Sequence, residues 1–284
     1  MKRLLAITAM PFLLLLSGCQ SAGVQSGFMV KQHLAGGSSY NEIAEIDGVT
    51  TEVTVFKLEH GDCAGDDCST DRQRIEHTTR PMYPHGKVNY QFSLFVPEDF
   101  DDLTPAHTQI AQGKMPKIRL PLWSIKLHEN TLVIRSPVLN QQCALWRREQ
   151  MNGNWTSFDI TVDYGMRVNP MASKKQNPSL EVKINGDVIP KCSIYDPIVT
   201  TSIAGNEYEF RYGMYVSSVS AWLAKENPEF VESMNGKIKP FNDVHTRAGY
   251  TATTFTNRPF KLNWGIELPV RILKFSPVKI SYVN

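Results

Sequence analysis

Apolar and polar residues alternate along much of the chain from about residue 46, with a repeat of two positions. The clearest stretches are 90–96 (YQFSLFV), 158–162 (FDITV) and 180–184 (LEVKI), and Asn185-Gly186 follows the last of them. A repeat of two puts apolar side chains on one face of a strand, and Asn-Gly is a frequent hairpin turn. The pattern therefore predicts half-buried β-strands.

The C-terminal part adds two more alternating runs, at residues 270–275 and 278–282. Helical periodicity is scarce: Val219–Ala224 predicts one or two turns, stopped by Pro228. We find no internal repeat and no second linker. Residues 46–284 therefore predict a single all-β domain, a sandwich or a jelly roll, which are folds that reach this size as one unit.

The N-terminus has the pattern of an export signal. Lys2 and Arg3 precede a mainly apolar run, Leu4–Leu16, which is shorter than the roughly 20 residues that a membrane-spanning helix needs. The run ends in Leu-Ser-Gly-Cys19, which resembles the lipobox of bacterial lipoproteins, although Cys19 could also be incidental in an ordinary signal peptide. Gln20 after the cysteine resembles the outer-membrane sorting rule of enteric bacteria.

These features divide the chain into three predicted parts. Residues 1–18 are a lipoprotein signal peptide, residues 19–45 are a lipidated N-terminus and flexible tether, and residues 46–284 are the β-domain. We expect an outer-membrane lipoprotein of a Gram-negative bacterium, facing the periplasm or the surface. Several acyl chains on Cys19, each contributing about 0.8 kcal/mol per buried methylene, would make the anchoring effectively permanent.

The charge balance argues against a nucleic-acid partner. The chain carries 30 basic and 28 acidic residues, and removal of Lys2 and Arg3 with the signal leaves 28 of each. Nucleic-acid-binding proteins usually have a basic excess. An anionic partner would therefore have to be attracted by a local cluster of basic residues.

The four cysteines after Cys19 predict two disulfide bonds, because an even number in an exported chain is typical of disulfides. The simplest pairing joins Cys63 to Cys68 and Cys143 to Cys192. On the loop-entropy model these bonds would contribute roughly 2 and roughly 4 kcal/mol. The spacing does not suit a zinc site, and we expect neither a metal nor another cofactor.

Common hydrolase motifs are missing from the sequence: there is no G-x-S-x-G, H-E-x-x-H or Walker loop. The nearest match to the carboxylate motif of β-sandwich glucanases is Glu45-Ile-Asp47, but Glu52, the next acid, is too far along. Paired-carboxylate glycoside hydrolysis is therefore disfavoured.

Six segments between residues 60 and 217 resemble, in the same order, the jelly-roll polysaccharide lyases related to heparin lyase I and glucuronan lyase, with a motif layout like that of alginate lyases. They are Gly61–Cys63 with Asp67–Glu76, Tyr90–Phe100, Ile110–Lys114, Asn154–Asp159, Val182–Gly186 and Tyr212–Tyr215. The resemblance implies a concanavalin-like β-jelly roll. It also implies cleavage of a 4-linked uronic acid by β-elimination.

That reaction explains the residue types that the resemblance assigns. The substrate carboxylate must be neutralised while the C5 proton leaves, and preorganised donors do this well. Arg74 matches the family's carboxylate-facing arginine, with Arg72 and Glu76 beside it. Gln112 matches the neutralising glutamine and Tyr215 the catalytic tyrosine. Each assignment has an alternative. The charged residues of the first strand could form a solvated face with an ion pair, Gln112 could be a polar edge residue, and Tyr215 could be an ordinary surface tyrosine.

The repeat of two also places Glu209, Arg211, Gly213 and Tyr215 on one face of a strand, which makes Arg211 a candidate substrate-binding residue. The alternate residues on the other face are mostly apolar and predict core. Gly213 would leave room for a sugar beside Tyr215.

One position departs from the family. Its Gln-x-His motif reads Gln112-Gly-Lys114 here, and His107 would point to the opposite face of a regular strand. A bulge could redirect His107, but nothing in the sequence demands one. Lysine is a poor base at neutral pH unless it is desolvated. Tyr215 would then transfer protons alone, with Arg74, Lys114 or Arg211 supplying a cation.

Three functions remain open at this point. The first is an anchored lyase, acting as a monomer on a uronate-containing polysaccharide, with Tyr215, Arg74, Gln112 and Lys114 as catalytic residues. The second is a non-catalytic lipoprotein that binds the same acidic glycan. The third is a structural envelope lipoprotein, which would have no use for aligned arginines.

Overall fold

A computed structural model describes residues 28–31, 37–69, 71–79, 82, 86–101, 103–115, 121–165, 178–196, 198, 207–234 and 263–283. The predicted signal peptide and Cys19 lie outside these residues. No helix in the described part of the chain is long and apolar enough to cross a membrane.

The described residues form fifteen strands and three short α-helices. The strands are β1 (Phe28–Lys31), β2 (Ser38–Ile46), β3 (Val49–Leu58), β4 (Arg72–Thr79), β5 (Lys87–Phe95), β6 (His107–Lys114), β7 (Pro121–His128), β8 (Thr131–Ser136), β9 (Gln141–Arg147), β10 (Trp155–Asp163), β11 (Leu180–Ile184), β12 (Asp187–Val188), β13 (Glu209–Ser217), β14 (Arg271–Phe275) and β15 (Lys279–Val283). The helices are α1 (Asp66–Ser69), α2 (Val219–Glu226) and α3 (Pro228–Ser233).

Two antiparallel sheets face each other in a jelly-roll-like sandwich, which confirms the predicted fold class. The front sheet has seven strands in the order β1-β4-β13-β6-β7-β8-β9. The back sheet has eight strands: seven run in the order β12-β11-β10-β5-β14-β3-β2, and β15 also pairs with β5. Strands that are distant in sequence, such as β4 and β13, are therefore neighbours in the sheet that carries most of the candidate residues.

The core lies between the sheets and is built from the alternating apolar positions. Phe158, Ile160 and Val162 of β10 are buried, as their spacing predicts. Aromatic rings join the two layers: Tyr90 of β5 stacks on Phe210 of β13, with ring centroids 4.6 Å apart. Removing such side chains from water stabilises the fold by about 1.5–3 kcal/mol each.

The N-terminal boundary of the domain differs from the prediction, since part of the predicted tether (19–45) is folded. Ser38–Ile46 is strand β2, paired along its length with β3, and Phe28–Lys31 pairs with β4. Strand β2 is the edge of the back sheet and leaves Tyr40 and Ile43 exposed. Because an edge strand is only weakly buried, its sequence lacks the alternation that reveals the inner strands.

The predicted helical turn at Val219–Ala224 is present as α2, which ends at Glu226. Pro228 follows this helix and is the first residue of α3, a position where proline is favoured. Asn227 caps α3, because its Oδ1 accepts a hydrogen bond of 3.1 Å from the Phe230 amide.

Candidate active site

The outer face of the front sheet carries a cluster of charged and amide side chains, which we call the polar face. Side chains directly opposite each other on paired strands point to the same side of a sheet, so the register defines this face. Its residues are Arg72, Arg74 and Glu76 of β4; Glu209, Arg211, Tyr215 and Ser217 of β13; His107, Gln109, Gln112 and Lys114 of β6; and Ser124 and Lys126 of β7. The seven predicted catalytic and substrate-binding residues therefore share one face, although Lys114, opposite Glu209, lies roughly 20 Å along β13 from Tyr215 at about 3.3 Å per residue.

Arg74 lies over the candidate catalytic tyrosine. Tyr215 is directly opposite Arg74 in the pairing of β13 with β4. The Arg74 guanidinium carbon is 4.6 Å from the centroid of the Tyr215 ring, and that of Arg72 is 5.8 Å away. Both distances are within the range of a cation–π contact. A phenolate formed at Tyr215 would thus meet two positive charges.

Asp67 binds one edge of the Arg74 guanidinium group. Its Oδ1 accepts a bond of 2.6 Å from Arg74 Nη2, and its Oδ2 accepts one of 2.9 Å from Nε. The Asp67 carboxylate is almost fully buried. This is the bidentate arrangement in which arginine and carboxylate bind most strongly. Sequence reasoning missed Asp67, because nothing in the spacing of a polar loop indicates which aspartate turns inward.

Glu76 lies at the centre of the cluster and is only 3% exposed. Its Oε1 accepts a hydrogen bond of 2.7 Å from Gln112 Nε2. Its Oε2 is 3.7 Å from Arg74 Nη1 and 4.0 Å from Arg211 Nη1. Glu76 therefore orients Gln112 through a hydrogen bond, whereas its Oε2 has no hydrogen-bond partner among the described residues and interacts with the two arginines by charge alone.

A second buried ion pair joins Arg211 and Glu209, two residues on the same face of β13. Arg211 donates to Glu209 Oε2 from Nη2 at 2.6 Å and from Nε at 3.1 Å. Lys114 lies opposite Glu209 in the register of β6 and β13. Burial, and then the charges of Arg211 and Arg74, lower the pKa of Lys114 to about 8, despite the opposing effect of Glu76 and Glu209.

A β-bulge in β6 changes the direction of His107. Gln109 lies opposite Lys126 while Ala111 lies opposite Ile125, so Ile110 is an extra residue between them. A bulge of this kind shifts the alternation of side chains. The expectation that His107 points away from the face of Gln112 is therefore wrong.

His107 is the imidazole of the polar face. Its Nε2 is 2.9 Å from Ser217 Oγ and 3.0 Å from Lys126 Nζ. A lysine ammonium can only donate, so Nε2 is the acceptor of this contact while Lys126 is charged. Ser217 lies opposite both His107 and Arg72, one pleat beyond Tyr215.

Gly213 allows β13 to change register against β6. The pairing shifts between Tyr212 and Tyr215, and Gly213 has a φ of 132°. A Cβ at this position would lie 2.4 Å from the Ile75 carbonyl oxygen. Glycine is therefore required here because the backbone of β4 is so close. The sequence alone accounts for Gly213 only by the space that it leaves for a sugar.

Both disulfide bonds have the predicted pairing. Cys63 is bonded to Cys68 with their Cα atoms 5.0 Å apart, and Cys143 is bonded to Cys192 at 5.4 Å. The first closes the loop that contains Asp67. The second joins β9 to the 3₁₀ turn Pro190–Cys192, and neither segment contributes a residue to the polar face.

Asp71, at the end of the same loop, connects the polar face to α2. Its Oδ1 accepts a bond of 2.8 Å from the Ser220 amide, and its Oδ2 accepts one of 2.5 Å from the Ser220 hydroxyl. Burial raises the pKa of Asp71 to about 6, against the effect of these hydrogen bonds. These bonds connect the residue before β4 to the first turn of α2.

The polar face provides cations, carboxylates, an amide, an imidazole and a phenol within one sheet. The described residues contain no group of three or more His, Cys, Asp and Glu side chains that could hold a metal ion. The chemistry available from these side chains is acid–base catalysis and charge stabilisation.

Comparison with protein families gives a match over most of the chain. A model described as "Polysaccharide lyase" matches residues 24–245. The chain belongs to this polysaccharide lyase family. Membership supports lyase activity on a polysaccharide. The finer relationship to heparin lyase I and glucuronan lyase stays a prediction.

Solved structures similar to this chain include several alginate lyases. Alginate lyase AlgAT5, from polysaccharide lyase family 7, has a TM-score of 0.45 and 12% identity, over 86% of this chain and 83% of its own. Family 7 alginate lyase A1-II′ in complex with substrate (GGMG) gives 0.47 and 13%, over 86% and 82%. The alginate lyase from Alteromonas sp. 272 gives 0.44 and 10%, over 90% and 94%. A comparison with curated proteins found no match.

Proposed function

We propose that this polysaccharide lyase cleaves a uronic-acid-containing polysaccharide by β-elimination, with Tyr215 transferring protons. The observation that carries the proposal is the position of Tyr215 beneath Arg74 and beside Arg72 on the polar face. In this reaction a base removes the C5 proton, a C4–C5 double bond forms, and the bond from C4 to the glycosidic oxygen breaks. The departing oxygen receives a proton.

The charge balance of such a site favours Tyr215 in this role. Ionising an ordinary tyrosine at pH 7 costs roughly 4 kcal/mol. A cation at about 4 Å offers a similar energy at an effective dielectric constant of 20. The guanidinium carbons of Arg74 and Arg72 lie 4.6 and 5.8 Å from the centroid of the ring, and Arg72 adds to the charge that Arg74 shares with Asp67. Once reprotonated, the same hydroxyl can serve the leaving oxygen.

Gln112, Arg74 and Arg211 would face the substrate carboxylate. Each of them is already oriented by a buried acid, so little reorganisation is needed when charge develops. Arg72 lies at the edge of this group and would bind a neighbouring anionic sugar. Glu76 would support the site from below rather than bind substrate.

Lys114 makes the activity dependent on pH through its charge. Burial and the charges of Arg211 and Arg74 lower its pKa to about 8, so its ammonium loses its charge as pH rises through this value. The charged form would help to hold the substrate carboxylate, so we expect kcat/KM to fall as pH rises through about 8. Lys114→His should move that fall down toward about pH 6.5, the ordinary imidazole value.

The measurement is a pH–rate profile on a soluble polyuronate, followed by the ultraviolet absorbance of the unsaturated product. His107→Gln is the matched control, because it removes the other imidazole candidate on the same strand. A fall in kcat/KM that moves in His107→Gln and stays in place in Lys114→His would contradict this role of Lys114.

A second function has an observation in its favour. Arg74 and Gln112 are both engaged by acids, and the histidine of the family motif is replaced. These features suit a surface that retains an acidic polysaccharide without cleaving it. Incubation with a panel of polyuronates separates the two functions: unsaturated product supports the lyase, whereas binding without product supports the non-catalytic lipoprotein.

We also propose that the protein is anchored to the outer membrane through lipidated Cys19 and acts as a monomer. The sequence Leu-Ser-Gly-Cys19 after a basic and apolar segment supports the anchor, and Gln20 supports the outer membrane. Cys19→Ser should move the mature protein from the membrane pellet to the soluble fraction, because the acyl chains provide the anchoring. Immunoblots of separated fractions measure this, with Cys143→Ser/Cys192→Ser as the cysteine control. Pelleting of the Cys19→Ser protein would contradict the anchor.

A further inference from the structure

The loop closed by Cys63 and Cys68 is connected to the polar face through one side chain. Helix α1 (Asp66–Ser69) lies within and just after the closed loop, and Asp67 immediately precedes Cys68. The Asp67 amide donates a bond of 3.0 Å to the Ala64 carbonyl, which closes a turn inside the disulfide ring. The backbone of Asp67 is therefore held both covalently and by a hydrogen bond.

The Asp67 side chain fixes the rotation of the Arg74 head group. Two bonds, to Nε and Nη2, occupy one full edge of the guanidinium. The remaining Nη1 is directed toward Glu76, at 3.7 Å, and the flat face covers Tyr215. A planar group bound along one edge can present its face in a single orientation. Asp67 thereby determines how Arg74 meets Tyr215.

The position of Asp67 argues against a purely stabilising surface ion pair. Both partners are largely buried, with side-chain exposures of 13% for Arg74 and 4% for Asp67. The loop contacts β4 through this pair, in which Asp67 binds Arg74 by two hydrogen bonds. Its effect on the site passes through Arg74.

We propose that Asp67 is a positioning residue for the lyase site, and that the Cys63–Cys68 bond keeps it in place, so that full activity requires the oxidised loop. The proposal rests on the proposed function. It goes further by naming a residue that acts on the reaction from outside the substrate-facing group, and it links activity to an oxidising compartment. Misplacement of a catalytic group by about 1 Å can cost about 100-fold in rate.

The test compares two ways of releasing Arg74 with two matched controls. Asp67→Asn removes the charge with little change in shape, and Cys63→Ser/Cys68→Ser opens the loop. Asp62→Asn changes another acid of the same segment, whose Oδ2 accepts a bond from the Glu59 amide. Cys143→Ser/Cys192→Ser opens the other, longer disulfide loop.

We expect kcat on a polyuronate to fall about 30- to 100-fold in the first two variants, with KM changed less than about threefold. Both controls should keep kcat within about twofold. Asp67→Glu should recover part of the lost rate. Retention of kcat in Asp67→Asn, or an equal loss in Cys143→Ser/Cys192→Ser, would overturn the proposal.

A spectroscopic measurement separates this proposal from the proposed function. The ¹⁵N–Hε signal of Arg74, identified by its absence in Arg74→Lys, should be sharp and slow to exchange in the wild type. It should broaden or vanish in Asp67→Asn and in Cys63→Ser/Cys68→Ser, and persist in both controls. This result does not require turnover. A wild type inactive on every polyuronate would refute the proposed lyase function, whereas an unchanged Arg74 signal in Asp67→Asn would refute the role of Asp67.

Discussion

Tyr215→Phe should reduce turnover of a polyuronate by about 1,000-fold while leaving its affinity for the polymer within a few-fold. The change removes only the hydroxyl, and positioned proton transfer is typically worth a factor of 10²–10⁴. The ring stays, so the contacts with the guanidinium groups of Arg74 and Arg72 remain. Initial rates of unsaturated product and the Kd for the polymer measure the two quantities separately.

Tyr212 provides the matched control for this substitution. It lies on the same strand but faces the core, where its ring stacks on Phe210 with centroids 6.0 Å apart. Burial raises the pKa of Tyr212 to about 12, so its hydroxyl cannot ionise near neutral pH. Tyr212→Phe should therefore keep turnover within about twofold. A comparable loss in both variants would indicate a structural effect and count against Tyr215 as the proton-transfer group.

The strands of the sandwich were largely predictable because burial leaves a local pattern. At 158–162 every second residue is apolar, and these side chains are the ones buried between the sheets. The hairpin at Asn185-Gly186 was also readable, since both residues take the positive φ values that such a turn requires. In both cases the residues that determine the local structure lie within about ten positions of one another.

Other features depend on contacts between distant segments. The bulge at Ile110 arises from the way β6 pairs with β7, and the apolar character of Ile110 and Ala111 does not indicate which residue is extra. The direction of His107 changes with it. Strand β2 was missed for a different reason, since an edge strand loses little water-exposed surface and so need not be apolar.

Seven residues of the polar face could be placed on one surface from the sequence, but their connections could not. The resemblance to polysaccharide lyases placed Arg74, Gln112 and Tyr215 together, and the register of three strands does the same. The acids that bind these residues were not foreseen. Asp67 is seven positions before Arg74 along the chain, and its inward orientation depends on a disulfide ring and a turn.

The buried pair of Asp67 and Arg74 determines which substitution of Arg74 is informative. Arg74→Ala would leave Asp67 and Glu76 buried without their cation, and breaking a buried pair in this way costs about 3–5 kcal/mol. Loss of activity could then come from loss of the fold. Arg74→Lys avoids this problem, because it keeps a positive charge next to both acids.

Arg74→Lys should lower kcat about 100-fold while the domain still unfolds cooperatively, since removing one preorganised donor costs about 10²–10³ in kcat. Lysine is a point charge without the planar fork, so it cannot bind Asp67 along one edge and cover Tyr215 with a flat face at the same time. Stability should fall by about 1.5–3 kcal/mol, the usual value of a charged hydrogen bond. The control is Arg147→Lys, an exposed arginine paired with Glu149, for which both quantities should stay unchanged. Thermal unfolding and polyuronate turnover measured on the same samples decide the matter: full activity in a folded Arg74→Lys protein would show that the charge alone suffices and that the orientation of the guanidinium over Tyr215 is not used.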